Sequence, residues 1–209
     1  MTSSETQKLI ENTLRNKDIK HEVNRYFRAV MSNEQVEEQE IILDNVRFNI
    51  FNNLKSNNSY NPDQRIEIEE TIDHLKDKTN ELFELKKHIS HCYGDIEIIT
   101  NSYQEEVDHY YPIWQIILLW ITIIGGIIWL INSKSHKKES QRVQVHKLMD
   151  ISSNIQIHVS KIEVIIHYLR RNFHVEIAEF NKKLSVQINH INQILQQHNL
   201  KEIQISLTD

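Results

Sequence analysis

The sequence predicts an all-α protein in which long amphipathic, coiled-coil-like helices flank one central helix of transmembrane length. Three observations carry that prediction. Only three glycines and two prolines occur in 209 residues, which leaves little material for sheet corners or tight turns. Apolar residues recur at helical spacing on both sides of the middle of the chain. Between those two regions, the nineteen residues from Ile113 to Ile131 carry no charge.

The N-terminal stretch MTSSETQKLIENTLRNKD lacks an apolar run, so no cleavable signal peptide is expected. Ser4 and Gln7 have the spacing of a capping box, in which the serine oxygen accepts an amide of the first turn and the glutamine reaches back. The stripe Leu9, Ile10, Leu14, Val23, Tyr26, Phe27 and Val30 then predicts a helix over about 6–31. Ser32 and Gln35 repeat the capping spacing and open a second helix, about 33–56, along Val36, Ile41, Leu43, Val46, Ile50, Phe51 and Leu54. KSNNSYNPD reads as a loop, with Asn61 placed to cap the next helix and Pro62 at its first position, where no amide partner is needed.

A third helix is predicted over 63–111. Its apolar positions run from Ile68 through Leu75, Leu82, Ile89 and Ile96 to Tyr110, 42 residues in 12 steps, which is coiled-coil spacing. Gly94 is a weak point, and Pro112 disfavours helical geometry at Tyr111. Beyond the apolar block, Leu148 to Leu195 covers 47 residues in 13 steps, so one long, nearly straight amphipathic helix is expected there. MDISSN near residue 152 is a place where it is open to interruption. EIQISL at the end alternates, as a short strand or a frayed tail does. The implied organisation is an acidic helical domain over 1–111, a transmembrane helix over 112–131, and a basic helix with a short tail over 132–209.

Nineteen helical residues cover roughly 28 Å, close to the ~30 Å of a bilayer's hydrocarbon core. Ile113, Trp114, Ile117, Leu118, Trp120, Ile124, Trp129 and Ile131 are the residues expected to meet lipid, with the tryptophans near the ends suited to the interfaces. Thr122 and Gly126 form a small-xxx-small pair, and Gly125 widens the same shallow face, so helix packing and self-association are expected there.

The flanks differ in charge. Residues 1–111 hold 13 Lys and Arg against 22 Asp and Glu, while residues 132–209 hold 11 against 7. Lys134, Lys137, Lys138 and Arg142 follow the block closely, whereas His88–Tyr111 contains no Lys or Arg. The positive-inside rule then places the C-terminal part in the cytoplasm, which implies a single-pass protein of a bacterial inner membrane. That orientation requires the 111-residue, net-acidic N-terminal part to cross without an export signal, so either the segment acts as a reverse anchor that drags it across or it inserts after the chain has folded.

Other chemistry is sparse. His88, His91 and Cys92 lie near one another on a helix, but zinc needs three or four converging ligands and no second cluster has suitable spacing. His158, His167, His174, His190 and His198 fall on the C-terminal stretch, where a pH-dependent change of packing or membrane affinity is an expectation from composition alone. Adjacent acids such as Glu69–Glu70 and Glu105–Glu106 point in different directions on a helix and read as solvated surface. No phosphate-cradling loop, nucleophile elbow or dense basic cluster is present, so an enzyme, a cofactor, a metal and a nucleic-acid partner are all unexpected. Cys92 is the only cysteine, so an intramolecular disulfide is impossible.

The layout of helices flanking an apolar segment is similar in outline to α-helical pore-forming toxins of the cytolysin A and xenorhabdolysin type, and to membrane effectors of bacterial cell-suicide or antiphage systems. No motif carries the likeness. It implies a toxin-like or antiviral-defence effector that inserts, self-assembles and permeabilises a membrane, with lipid and further copies of itself as partners. The alternative is a constitutive single-pass scaffold whose coiled coils bind helical partner proteins. Conductance or dye leakage separates the two. A further geometric question is whether the long helices on either side of the block pack against each other. If they do, both flanks lie on one side of the membrane and the block is an exposed tip or a re-entrant element.

Overall fold

The structure, a computed structural model, describes the backbone of residues 3–56, 64–109 and 123–206, and the side chains of 8–56, 64–101, 139 and 141–206. The chain is all-helical over the described residues. Its six helices are α1 (Ser3–Leu14), α2 (Lys17–Met31), α3 (Val36–Ser56), α4 (Gln64–His109), α5 (Ile123–Phe173) and α6 (Ala178–Gln197).

The helix predicted over 6–31 is two helices. Asn16 takes a non-helical φ of −58° and ψ of 136°, and its side chain accepts the Asp18 amide at 2.9 Å. This local bond competes with helical hydrogen bonding and restarts the helix. Ser32 does not open α3 either. It closes α2, donating its amide to the Arg28 carbonyl, and Asn33 follows with φ 58°. Asn33 N bonds Val30 O at 3.0 Å and Glu34 N bonds Ala29 O at 3.0 Å, the paired pattern of a Schellman cap.

The long helix expected from Leu148 to Leu195 is also interrupted, at residues 174–177. His174 adopts φ 53° and its amide bonds the Arg170 carbonyl at 3.2 Å, a left-handed cap that ends α5. Ile177 accepts the Asn181 amide at 2.8 Å and so begins α6. MDISSN, by contrast, lies inside α5, and Gly94 lies inside α4 with open space around it. With so few glycines, Asn33, His174 and Asn199 supply the left-handed positions.

Among the described residues no separate central helix of transmembrane length is found, and that expectation is not supported. Among the described residues no helix is long and apolar enough to cross a membrane. Ile123–Ile131 forms the first turns of α5, which continues without a break into the polar sequence NSKSHKK because no proline or glycine follows Gly126 there. Residues 110–122, with Pro112 and the first part of the block, lie outside the described residues, as does the loop at 57–63.

The chain divides into two compact units, each drawing on both the acidic N-terminal and the basic C-terminal stretches. Unit 1 comprises residues 1–87, 159–184 and 206–209. Its core joins Val23, Phe27 and Val30 of α2, Val46 and Ile50 of α3, Ile72, Leu75 and Leu82 of α4, Ile162 and Leu169 of α5, and Phe180 of α6, all buried. Burying a side chain of this size contributes roughly 1.5–3 kcal/mol. Phe27 and Phe180 meet edge to face with centroids 6.4 Å apart. Asn24 is buried and ties α2 to the α5–α6 connection by accepting the Glu176 amide at 2.6 Å, while its own amide group donates to the Lys20 carbonyl.

Unit 2 comprises residues 88–158 and 185–205. Ile89 and Ile96 of α4, Leu148 and Ile155 of α5, Ile188, Ile191 and Leu195 of α6, and Ile203 of the C-terminal segment are buried in it. Among the described residues it is a three-helix arrangement, and these members of the predicted stripes face inward.

Candidate functional site

The chemistry singled out by sequence is the apolar block, so the informative question is how its two flanks are held. Both belong to unit 2. Gln144 of α5 is buried at 6% exposure and donates its side-chain amide to the Ile99 carbonyl of α4 at 3.4 Å. Eleven residues earlier on α4, His88 packs its ring on His158 of α5, centroids 5.4 Å apart. Position 99 therefore meets 144 and position 88 meets 158, which makes α4 and α5 antiparallel neighbours. The helices on either side of the block pack against each other.

α6 closes the same bundle. The Tyr93 hydroxyl lies 2.6 Å from His190 Nδ1, with ring centroids 5.4 Å apart, and donates to Glu97 Oε1. The hydrogen bond to Glu97, then burial, pushes the Tyr93 phenol above its ordinary value. Gln187 donates to Ser90 Oγ at 3.3 Å. Cys92 is half-buried, and burial, then the Asp95 carboxylate, pushes its thiol up, which keeps it protonated and unreactive at neutral pH. Beside the Ile99–Gln144 contact a shallow open groove is lined by Asp95, Ile98, Lys147, Asp150 and Ile151.

Beyond the Ile99–Gln144 contact the backbone of α4 runs on to His109 and that of α5 back to Ile123, so the acidic run at 105–106 and the basic run at 134–138 lie on the same side of that contact along an antiparallel pair.

Of the residues predicted to meet lipid or pack helices, Ile113, Trp114, Ile117, Leu118, Trp120 and Thr122 lie outside the described residues. Ile124, Gly125, Gly126, Trp129 and Ile131 are on the first turns of α5, so the chain does not turn at the two glycines. Lys134, Lys137 and Lys138 follow on the same helix, and Arg142 is exposed there. His88 and His91 are exposed, and among the described residues no group of three metal-capable side chains converges.

Sequence reasoning missed Gln144. Its signal was present: it sits four residues before Leu148, where the α5 stripe asks for an apolar side chain. A polar residue at a core position needs a partner, and the Ile99 carbonyl is that partner. Comparison with family models, curated proteins and solved structures gives no match.

Proposed function

We propose that the chain is a membrane-active helical effector that presents residues 113–131 from the α4–α5 hairpin, inserts them from one side, self-assembles and permeabilises or depolarises the membrane. The observation that supports this reading is the antiparallel contact of α4 with α5 at Ile99–Gln144 and His88–His158. Flanks that are packed together do not straddle a bilayer. An apolar segment joined to both is delivered as a re-entrant or tip element, and no export of the acidic domain is needed. In this topology both flanks share the face that the basic run favours, the cytoplasmic face of a bacterial inner membrane.

The bundle's own contacts favour this over a coiled-coil scaffold. The stripes of α4, α5 and α6 are buried against one another within the chain, so they are not left open for helical partner proteins. Assembly then falls to the Thr122, Gly125 and Gly126 face, where small residues let helix backbones approach in lipid.

Dye-loaded liposomes test the proposal. Purified protein is expected to release the dye, expression is expected to depolarise cells, and Gly125→Leu/Gly126→Leu is expected to reduce both effects. Sealed liposomes together with cells that keep their potential would return the segment to the role of an anchor.

A further inference from the structure

We propose that the groove between α5 and α6 in unit 2 is a peptide-binding site, and that the ligand it takes in trans is residues 201–205 of a second copy of this chain. The site is visible because the chain's own segment fills it. Asn192 of α6 pairs twice with the backbone of Ile203, accepting its amide at 2.8 Å and donating to its carbonyl at 3.0 Å. Gln156 of α5 does the same to Gln204, accepting at 2.9 Å and donating at 3.2 Å. Two carboxamides, one from each wall, satisfy both backbone groups of two consecutive residues.

Those four bonds read peptide backbone and are blind to side chains, much as a sheet edge reads an added strand. Selectivity comes from Ile203, whose side chain is 3% exposed and fills the apolar floor between the helices. Glu202 adds one polar contact, accepting from Gln196 Nε2 at 2.5 Å. The groove therefore fits a non-helical segment with an acidic residue followed by a branched aliphatic one, which residues 202–203 of this chain provide.

Exchange between copies follows from how the segment is joined to α6. Only His198–Leu200 separates them, folded back by Asn199 at φ 56° and a Leu200 N to Leu195 O bond of 2.9 Å. Opening that turn breaks local bonds and leaves the α4–α5–α6 contacts untouched. A second copy's segment makes the same four bonds and buries the same isoleucine, so exchange trades like for like. The inference stands independently of the membrane reading.

Two full-length variants test it. Ile203→Asp keeps the groove but spoils its ligand, whereas Gln156→Ala/Asn192→Ala keeps the ligand but spoils the groove. Light scattering should find each alone monomeric and an equimolar mixture at twice the mass. A mixture that stays monomeric while both variants keep their helicity by circular dichroism overturns the proposal. If Ile203→Asp loses helicity, Gln204→Pro takes its place, since proline cannot donate to Gln156. A fluorescent peptide of residues 200–206 gives a second readout. It should bind the Ile203→Asp chain saturably, at least tenfold more weakly once Asn192→Ala is added, and equal binding with and without Asn192 overturns the proposal.

Discussion

Unit 1 and unit 2 are built from the same three long helices yet held together differently. In unit 1 those helices meet α1, α2 and α3, and a broad apolar core excludes water from Val23, Val46, Leu75 and Leu82 at once. Among the described residues of unit 2 they meet one another and the C-terminal segment, and polar seams join the apolar layers: Gln144 to Ile99, Tyr93 to His190, Gln187 to Ser90, Asn192 to Ile203. Neutral hydrogen bonds of this kind contribute roughly 0.5–1.5 kcal/mol each, less than a buried leucine. The broader apolar core is thus the main support of unit 1, while unit 2, which holds both flanks of the apolar segment, combines its apolar layers with weaker polar seams.

The largest expected effect comes from breaking the apolar side of the comparison. Leu82 is fully buried, and Leu82→Ala should cost roughly 3 kcal/mol, read as a lower denaturation midpoint with unchanged slope. Asn24→Ala should cost about 1 kcal/mol in the same assay, because it removes the part-buried bond that ties the Glu176 amide to α2.

A pH titration probes unit 1 again. Burial, then Glu40 and Asp77, raises the Tyr26 phenol well above its ordinary value. A group raised in the fold stabilises fully below its unfolded pKa and loses that contribution as pH climbs, so stability should fall above about pH 10. Tyr26→Phe should flatten that fall, and an unchanged alkaline limb would show that the phenol ionises freely.

Thr79 gives a change of opposite sign. Its hydroxyl is buried on the α4 stripe with no hydrogen-bond partner. Thr79→Val, which keeps the shape and drops the polar atom, should raise stability by about 1 kcal/mol in chemical denaturation. Smallest of all, Tyr93→Phe in unit 2 removes an exposed hydroxyl contact with His190 and should shift stability by under about 0.5 kcal/mol, measured by the same denaturation.

The helical character and the inward faces were legible because burial imposes a 3.5–3.6 period, and positions such as Ile72, Ile89, Val159 and Ile188 are buried as that period demands. The break at 174–177 was hidden by the same rule. Val175 and Ile177 are buried within the connection, so the apolar rhythm runs straight through a place where the helix stops. The break at Asn16 was hidden because an Asx cap is a local side-chain bond that leaves no trace in periodicity. The Ser32 capping pattern misled because Asn33 can enter the left-handed region and close α2 first.

For the candidate site, the sequence exposed the apolar block and its unequal charges, but not their relation. Charge flanks read along one dimension look like the two sides of a span. Folded into an antiparallel pair, the acidic run of α4 and the basic run of α5 lie on the same side of the Ile99–Gln144 contact. Pairing between helices separated by tens of residues is set by packing, which no single-chain pattern encodes.

The central claim is that both flanks of the apolar segment stay on one side of a membrane. Single cysteines at Glu97 and Met149, both exposed positions in unit 2, can be placed in a Cys92→Ser chain and probed in sealed vesicles with a membrane-impermeant maleimide. The account predicts that both positions are labelled from the same face. Labelling of one from outside, and of the other only after the vesicles are opened, would contradict it.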